Sequence, residues 1–408
     1  MMLKNDVKIV LGNCFLKNGN NGCVALSLSA MYIIQKIFDR VGKKCTFVLP
    51  QSGYKTIRKG SMTIGDVCVS YECIRDLLRW SVTTPLLQLV KYREFSYSRK
   101  CYKKADYLLD VGQGDSFTDI YGDFRFKWVN NSYSLARRYR LKYCFLPQTI
   151  GPFHSSKNRD EGCLSLEKAS LVFVRDSQSY QCVEEIAPKV KPIEITDIAF
   201  FLPYVKHSFD SSKVHVGLNV SGLLWNGGYT KNNQFGLTVD YQKLIYDILS
   251  VFLAKDNVVV HLVPHVISES TSIEDDYRVS VEIYEKFNTP NLVLSPHFCS
   301  PVQAKNYIAG LDFLMGARMH ATIAAFSSGV PVFPMAYSRK FNGLFVETLD
   351  YKYMGDMKVQ KNEEILKAIK AAFAERHIMK EIISNRLNGV VRERGEIFIN
   401  HLEKFFDL

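Results

Sequence analysis

The sequence predicts an α/β protein made of two doubly wound domains that face each other across a cleft. Three observations predict it. Short, near-continuous apolar runs alternate with amphipathic stretches, the pattern of parallel strands covered on both faces by helices. The pattern occurs twice along 408 residues, a length that suits two domains. The charge also changes at the middle of the chain. Residues 1–200 carry 30 Lys/Arg against 19 Asp/Glu, and residues 201–408 carry 22 of each.

In order along the first half, strands are expected at KIVLG (8–12), CTFVLP (45–50), DYLLDVG (106–112), YCFLPQ (143–148) and LVFVRD (171–176). CVALSLSAMYIIQKIFDRVG, between the first two, has apolar residues at helical spacing. In the second half the strands are VHVGLNVS (214–221), VVVHLVPH (258–265), LVLSP (292–296), FLMGA (313–317) and PVFPMAY (331–337). Helices fit 240–254, 274–287, 319–328 and a stretch from Ser300 as N-cap to Ala309. FLPYVKHSFDSSK (201–213) is rich in Pro, Ser and polar residues and reads as the linker. The domains are therefore expected at 1–205 and 206–408, with a charged helical tail from about 362.

Composition narrows the class. Hydrophobic residues make 47% and charged residues 23%, which is ordinary for a globular protein and excludes a disordered or fibrous chain. No run of about 18 consecutive apolar residues marks a membrane span. The N-terminal stretch MMLKNDVKIVLGNCF reads as a first buried strand, not a signal peptide. Ten scattered cysteines without a C-x-x-C read as reduced thiols, which points to the cytoplasm.

The excess of +11 concentrates in KYREFSYSRKCYKK (91–104) and RFKWVNNSYSLARRYRLK (125–142). Three uses fit such runs: a solvated face with no partner, an anionic acceptor or membrane surface, and single-stranded nucleic acid stacked on the interleaved tyrosines. No nucleic-acid motif accompanies the charge, so nucleic acid is the weakest of the three and is not expected as a partner.

In doubly wound domains, ligands bind at the carboxyl ends of the strands. Several chemistry-bearing residues fall there. KNGNNGC (17–23) precedes the first helix, and Asn21 stands at a helix start suited to an anion. QGDSFTDIYGD follows the third strand and offers Asp115 to a hydroxyl or a sugar. LPQTIGPF (146–153) places Gln148 at a strand end before a Gly-Pro turn. Arg175 follows LVFV, and Arg318, Met319 and His320 follow FLMGA. Arginine grips carboxylate or phosphate with two parallel hydrogen bonds. His265 ends HLVPH, and Lys340 follows the strand PVFPMAY.

LPQTIGPF, VFVRDSQS, TDIAF (196–200), LVPH and GARMHATIAAFSSGVPVFPMAYSRK, with the early glycine/asparagine turn, occur in the order seen in polysaccharide pyruvyl transferases. The chain resembles that family from about residue 10 to about 350. The resemblance implies a GT-B-like glycosyltransferase architecture of two Rossmann-like domains. It implies transfer of the enolpyruvyl group of phosphoenolpyruvate onto two hydroxyls of one sugar, as a cyclic ketal, with release of phosphate. It gives Arg318 and His320 the roles of donor-binding arginine and catalytic histidine, and it implicates Arg175 in the donor site. Gln113 stands where many relatives have a third glycine.

The chemistry of the residues agrees. Phosphoenolpyruvate carries a carboxylate and a phosphate, which two arginines, a lysine and helix-start amides would suit. Proton movement to the methylene carbon and from the hydroxyls suits a histidine. Donor contacts are thus expected from Arg175, Arg318, Met319, His265 and Lys340, acceptor contacts from Asp115, Gln148 and Asn21, and catalysis from His320. The expected partner is a sugar acceptor of a surface or capsular polysaccharide, free or lipid-linked. The basic first domain is expected to receive it at the cytoplasmic face of the inner membrane. No metal set has ligand spacing, and no cofactor beyond the co-substrate phosphoenolpyruvate is expected. The competing reading is a nucleotide-sugar glycosyltransferase on the same fold.

Overall fold

The computed structural model describes residues 6–51, 58–76, 78, 92–268 and 272–408. Its residues form two compact units: Met1–Leu16, Leu26–Ile198 and Arg394–Leu408 in the first, Lys17–Ala25 and Ala199–Glu393 in the second.

In the first unit the strands are β1 (Asp6–Gly12), β2 (Lys44–Gln51), β3 (Arg58–Ile64), β4 (Val67–Arg75), β5 (Tyr107–Asp110), β6 (Lys142–Gln148), β7 (Leu171–Val174) and β8 (Ile193–Glu194). They form one sheet in the order β3-β4-β2-β1-β5-β6-β7-β8. Every pairing is parallel except β3 with β4. The helices are α1 (Asn21–Arg40), α2 (Tyr92–Lys104), α3 (Asp123–Tyr139), α4 (Ser156–Glu167) and α5 (Ser177–Ile186). The first turn of α1 groups with the second unit and the rest with the first.

The central strands are buried throughout because helices cover both faces, which is why they read as apolar runs. The hairpin β3–β4 escaped the sequence reading. RKGSMTI is almost wholly exposed at the sheet edge and has no apolar face to announce it.

The second unit holds β9 (Val214–Asn219), β10 (Val258–Leu262), β11 (Leu292–Leu294), β12 (Phe313–Gly316), β13 (Val332–Ala336) and β14 (Gly355–Asp356). These form a fully parallel sheet in the order β11-β10-β9-β12-β13-β14. Its helices include α6 (Tyr241–Leu253), α7 (Asp276–Phe287), α8 (Pro301–Ile308) and α9 (Met319–Ser327). Ser300 caps α8 as expected, its hydroxyl accepting from Gln303 N–H at 3.3 Å.

The unit boundaries differ from the sequence expectation in three places, each with a packing reason. The change falls at Ile198/Ala199 rather than near 205. There the buried Lys305 ammonium donates to the carbonyls of Phe200 and Leu202, building that stretch into the second unit. Segment 17–25 joins the second unit because Ile267 N–H donates to Gly19 O at 2.7 Å and Asn20 bridges to Val266. The tail residues 394–408 join the first unit. Phe398 packs on Phe173, and Phe406 packs on Phe38 and Tyr107.

Helix α1 is, among the described residues, the one helix long and apolar enough to cross a membrane. Of its apolar window 83% is buried inside the protein, as in a core helix.

Candidate functional site

The second unit brings together residues far apart in sequence at the carboxyl ends of β9, β10 and β12. Arg318 is the N-cap of α9, and its own N–H donates to the Asn219 side chain at 2.9 Å. Its guanidinium is held by Asp276, the wholly buried first residue of α7. Nε lies 3.1 and 3.3 Å from the two carboxylate oxygens, and Nη2 lies 2.8 Å from one of them. Nη2 also donates to Glu274 O at 2.8 Å. Nη1 makes no hydrogen bond among the described residues. Burial opposes the Arg318 charge, and Asp276 more than offsets it, so the guanidinium is held above its ordinary value.

Asp276 does more than pair with Arg318. Its carboxylate also accepts from Gly222 N–H at 2.8 Å, His265 N–H at 3.2 Å and Val266 N–H at 2.9 Å. One side chain thus fixes the loops after β9, β10 and β12. This role is not legible in SIEDDYR, which reads as an ordinary acidic helix start. Asn219, whose amide also donates to Val263 O at 2.8 Å, was missed for a similar reason.

His265 is 2% exposed, and neither ring nitrogen has a hydrogen-bond partner among the described residues. Burial, then the nearby His320 and Arg318, push its pKa down to about 3, so the ring is neutral at ordinary pH. Its carbonyl accepts from Asn21 N–H at 3.2 Å. Gly22 lies against the His320 ring so closely that a Cβ there would collide with Nδ1. Asn21 is 5% exposed, and its Nδ2 has no hydrogen-bond partner among the described residues.

The start of α1 therefore stands with His265 and His320. His320 and Met319 occupy the first turn of α9, where backbone N–H groups lack intrahelical partners. Lys340 lies half-buried in the helical turn Arg339–Phe341 after β13, as expected.

In the first unit, Arg175 follows β7 and is also tied to a buried aspartate. Nη1 donates to Asp197 at 2.7 Å, and Nε donates to the Thr149 hydroxyl at 2.8 Å. Nη2 makes no hydrogen bond among the described residues. Burial works against this charge, and Asp197, Asp176 and Asp115 outweigh it. Asp115 is half-buried and accepts from the Tyr121 hydroxyl at 2.8 Å.

Gln148 does not present itself to a ligand. It is wholly buried, and its amide donates to Asp110 O, Leu146 O and the Tyr133 hydroxyl. Its side chain underlies Gly112, where a Cβ would collide with Oε1. We therefore assign it the shaping of the loop rather than acceptor contact. Gln113, between Gly112 and Gly114, takes φ 52°, a left-handed conformation that favours glycine. Its side-chain oxygen accepts from Arg125.

A family model described as polysaccharide pyruvyl transferase matches residues 15–339. No curated protein matches. Among solved structures, UDP-GlcNAc 2-epimerase from Neisseria meningitidis bound to UDP-GlcNAc is similar at TM-score 0.57 and 9% identity, covering 98% of this chain and 100% of that one. HepE from Anabaena in complex with UDP is similar at TM-score 0.56 and 13% identity, covering 98% and 100%. An α,α-trehalose-phosphate synthase (UDP-forming) from Burkholderia vietnamiensis gives 0.56 and 10%, covering 98% and 97%. At these identities the likeness speaks for the fold alone. That fold is α/β with two parallel-sheet units, of the GT-B kind.

Proposed function

Because the chain belongs to the polysaccharide pyruvyl transferase family, we propose that it transfers the enolpyruvyl group of phosphoenolpyruvate to two hydroxyls of one sugar. The observation that carries this reading is the grouping in the second unit of Arg318, His320, His265 and two helix starts. Positive groups and bare amides there suit a small trianion.

In this reading Arg318 presents Nη1 to the donor while Asp276 fixes its plane. The first-turn amide of Met319, the Asn21 amide and neutral His265 complete the anion's hydrogen bonds, and Lys340 adds charge. Arg175's part in donor binding rests on the family resemblance, and its bare Nη2 is the edge it would use. Asp115 is the proposed acceptor contact.

One sugar oxygen bonds to C2 of the donor while C3 takes a proton. The second oxygen then bonds to C2 as the C2–O bond to phosphate breaks. Of the two hydroxyl protons, one ends on the new methyl group and one leaves with phosphate. His320 is the proposed carrier. The acceptor is proposed to be a precursor of a surface polysaccharide, handled in the cytoplasm.

The nucleotide bound in two of the similar structures keeps a nucleotide-sugar transferase as the second reading. Thermal denaturation separates the two. Phosphoenolpyruvate should raise the melting temperature, and a UDP-sugar should not. Release of phosphate with a pyruvylated product, seen by mass analysis over synthetic galactosides, then tests the reaction itself.

A further inference from the structure

The basic runs of the first unit were expected to serve an anionic acceptor or a membrane surface. The topology puts the ends of both runs, Lys103, Lys104, Arg138, Arg140 and Lys142, at the amino edge of the sheet. The helix-to-strand connections of this unit, residues 41–43, 105–106, 140–141, 168–170 and 187–192, all lie at the amino edge of its sheet. They hold five Lys/Arg against one Asp/Glu, and the helix ends and strand starts beside them add Arg40, Lys44, Lys103, Lys104, Arg138 and Lys142 against Asp39 and Glu167.

The described strand-to-helix connections of the same unit, residues 13–16, 76, 78, 111–122, 149–155, 175–176 and 195–197, hold one arginine against five aspartates. The tail packed on the amino edge adds Lys404, Glu403 and Asp407, and β1 begins with Asp6. The edge stays strongly basic with these included.

Compensation of helix dipoles explains part of this. Arg40, Lys103, Lys104 and Arg138 lie in last helical turns. It does not explain Lys43, Lys44, Arg140, Lys189 and Lys191, which lie beyond the helix ends. Most of these side chains are exposed. Arg40 and Lys142 reach the acids of the tail, at 3.8 and 3.3 Å, and Lys189 reaches Glu167 at 3.7 Å.

Nor does the edge suit bases. Of the tyrosines that interleave the charges in sequence, Tyr102 is 1% exposed, Tyr133 is wholly buried in the aromatic core, Tyr97 and Tyr139 are half-buried, and the exposed Tyr92 stands at the start of α2, away from this edge. Without stacking platforms, single-stranded nucleic acid loses its main sequence-tolerant contact. A broad rim of Lys/Arg with few acids among them matches an anionic lipid surface, whose potential attracts each such side chain.

We infer that the amino edge of the first unit's sheet docks on anionic membrane, with the strand ends that carry Asp115 and Arg175 turned to the opposite side of the unit. The edge is a docking surface and takes no part in the reaction.

The test uses the full chain and sedimentation with lipid vesicles. Three variants are compared with wild type. Two carry Lys43, Lys104, Arg138 and Lys191 replaced all by Glu or all by Gln. The third is a control of equal charge change in the second unit, with exposed Lys352, Lys358, Lys367 and Lys370 replaced by Glu. Wild type should sediment with phosphatidylcholine vesicles containing phosphatidylglycerol, and not with phosphatidylcholine alone. Loss of four edge charges should lower partitioning by about 100-fold or more, given roughly fivefold per Lys or Arg near an anionic surface. The control should change far less.

Circular dichroism melts check that the variants fold, and the Gln set gives the result if the Glu set does not fold. The inference is overturned if wild type ignores anionic vesicles, or if the control loses as much as the edge variants. It is also overturned if a single-stranded oligonucleotide at physiological salt binds more tightly than the vesicles.

Discussion

Each unit ends a strand with an arginine held by a buried aspartate, Arg175 with Asp197 and Arg318 with Asp276. The two pairs look equivalent, and each arginine keeps one terminal nitrogen without a partner among the described residues. Their surroundings differ. Arg175 sits among three aspartates, which bias its neighbourhood toward negative potential. Arg318 shares its neighbourhood with two histidines, and burial, then His320 and Arg318, push His265 down to about pKa 3, so no acidic side chain draws a proton onto that ring. An arginine after a strand is thus not by itself an anion site. What decides is the balance of charge left once its structural partner has been counted.

The largest effect expected is on stability. Either buried arginine replaced by alanine leaves a carboxylate without its partner, which costs about 3–5 kcal/mol. Denaturant melts of Arg175→Ala and Arg318→Ala should agree on this. Equal loss would show that both pairs are structural, so any difference between the units must then appear in donor binding. Asp276→Ala should cost at least as much as either, because three backbone amides lose their acceptor as well.

Next comes catalysis. His320→Asn and His320→Gln can hydrogen-bond but cannot carry a proton at neutral pH. Turnover should fall by about 10²-fold with donor affinity nearly unchanged. Turnover near wild type in both would remove the histidine from the reaction and with it the main contrast between the units.

A smaller effect follows from pH. The His265 ring stays neutral in the folded protein down to about pH 3, whereas its ordinary value is 6.5. The unfolded chain therefore binds more protons between these values, and stability falls as pH is lowered from about 6.5 toward 3. His261, also pushed by burial to about 3, adds to the slope. His265→Asn should flatten the slope by one proton, at most about 1.4 kcal/mol per pH unit. An unchanged slope would mean that the ring is not enclosed as described.

The smallest expected effect is that of Gly22→Ala. Its methyl group would push on the His320 ring, so turnover should drop by several-fold while stability falls by about 1 kcal/mol. A larger fall in stability than in turnover would mark the contact as packing alone.

Much of this was legible in the sequence. The ten apolar runs are strands, and His320, Arg318 and His265 stand at strand ends, because parallel strands buried on both faces leave an unmistakable apolar signature. The edge strand β3 lacked that signature, and its partner β4 is interrupted by exposed and charged residues. Asp276 looked like a routine helix start, since its partner Arg318 lies 42 residues away and only the folded chain joins them. Asn21 belongs to the second unit, although chain order places it in the first half. Gln148 read as a ligand group because a polar residue at a strand end can point either way. The charge asymmetry was visible at once, but which edge of the sheet it occupied depended on which connection each lysine belonged to.

Titration of phosphoenolpyruvate into folded Arg318→Gln and Arg175→Gln, followed by calorimetry, tests the contrast most directly. Loss of Arg318 should weaken donor binding by about 2–4 kcal/mol, the worth of a charge-assisted contact in a desolvated site, and loss of Arg175 should weaken it clearly less. If Arg175→Gln weakened binding as much as Arg318→Gln or more, the electrostatic distinction between the two units would be contradicted.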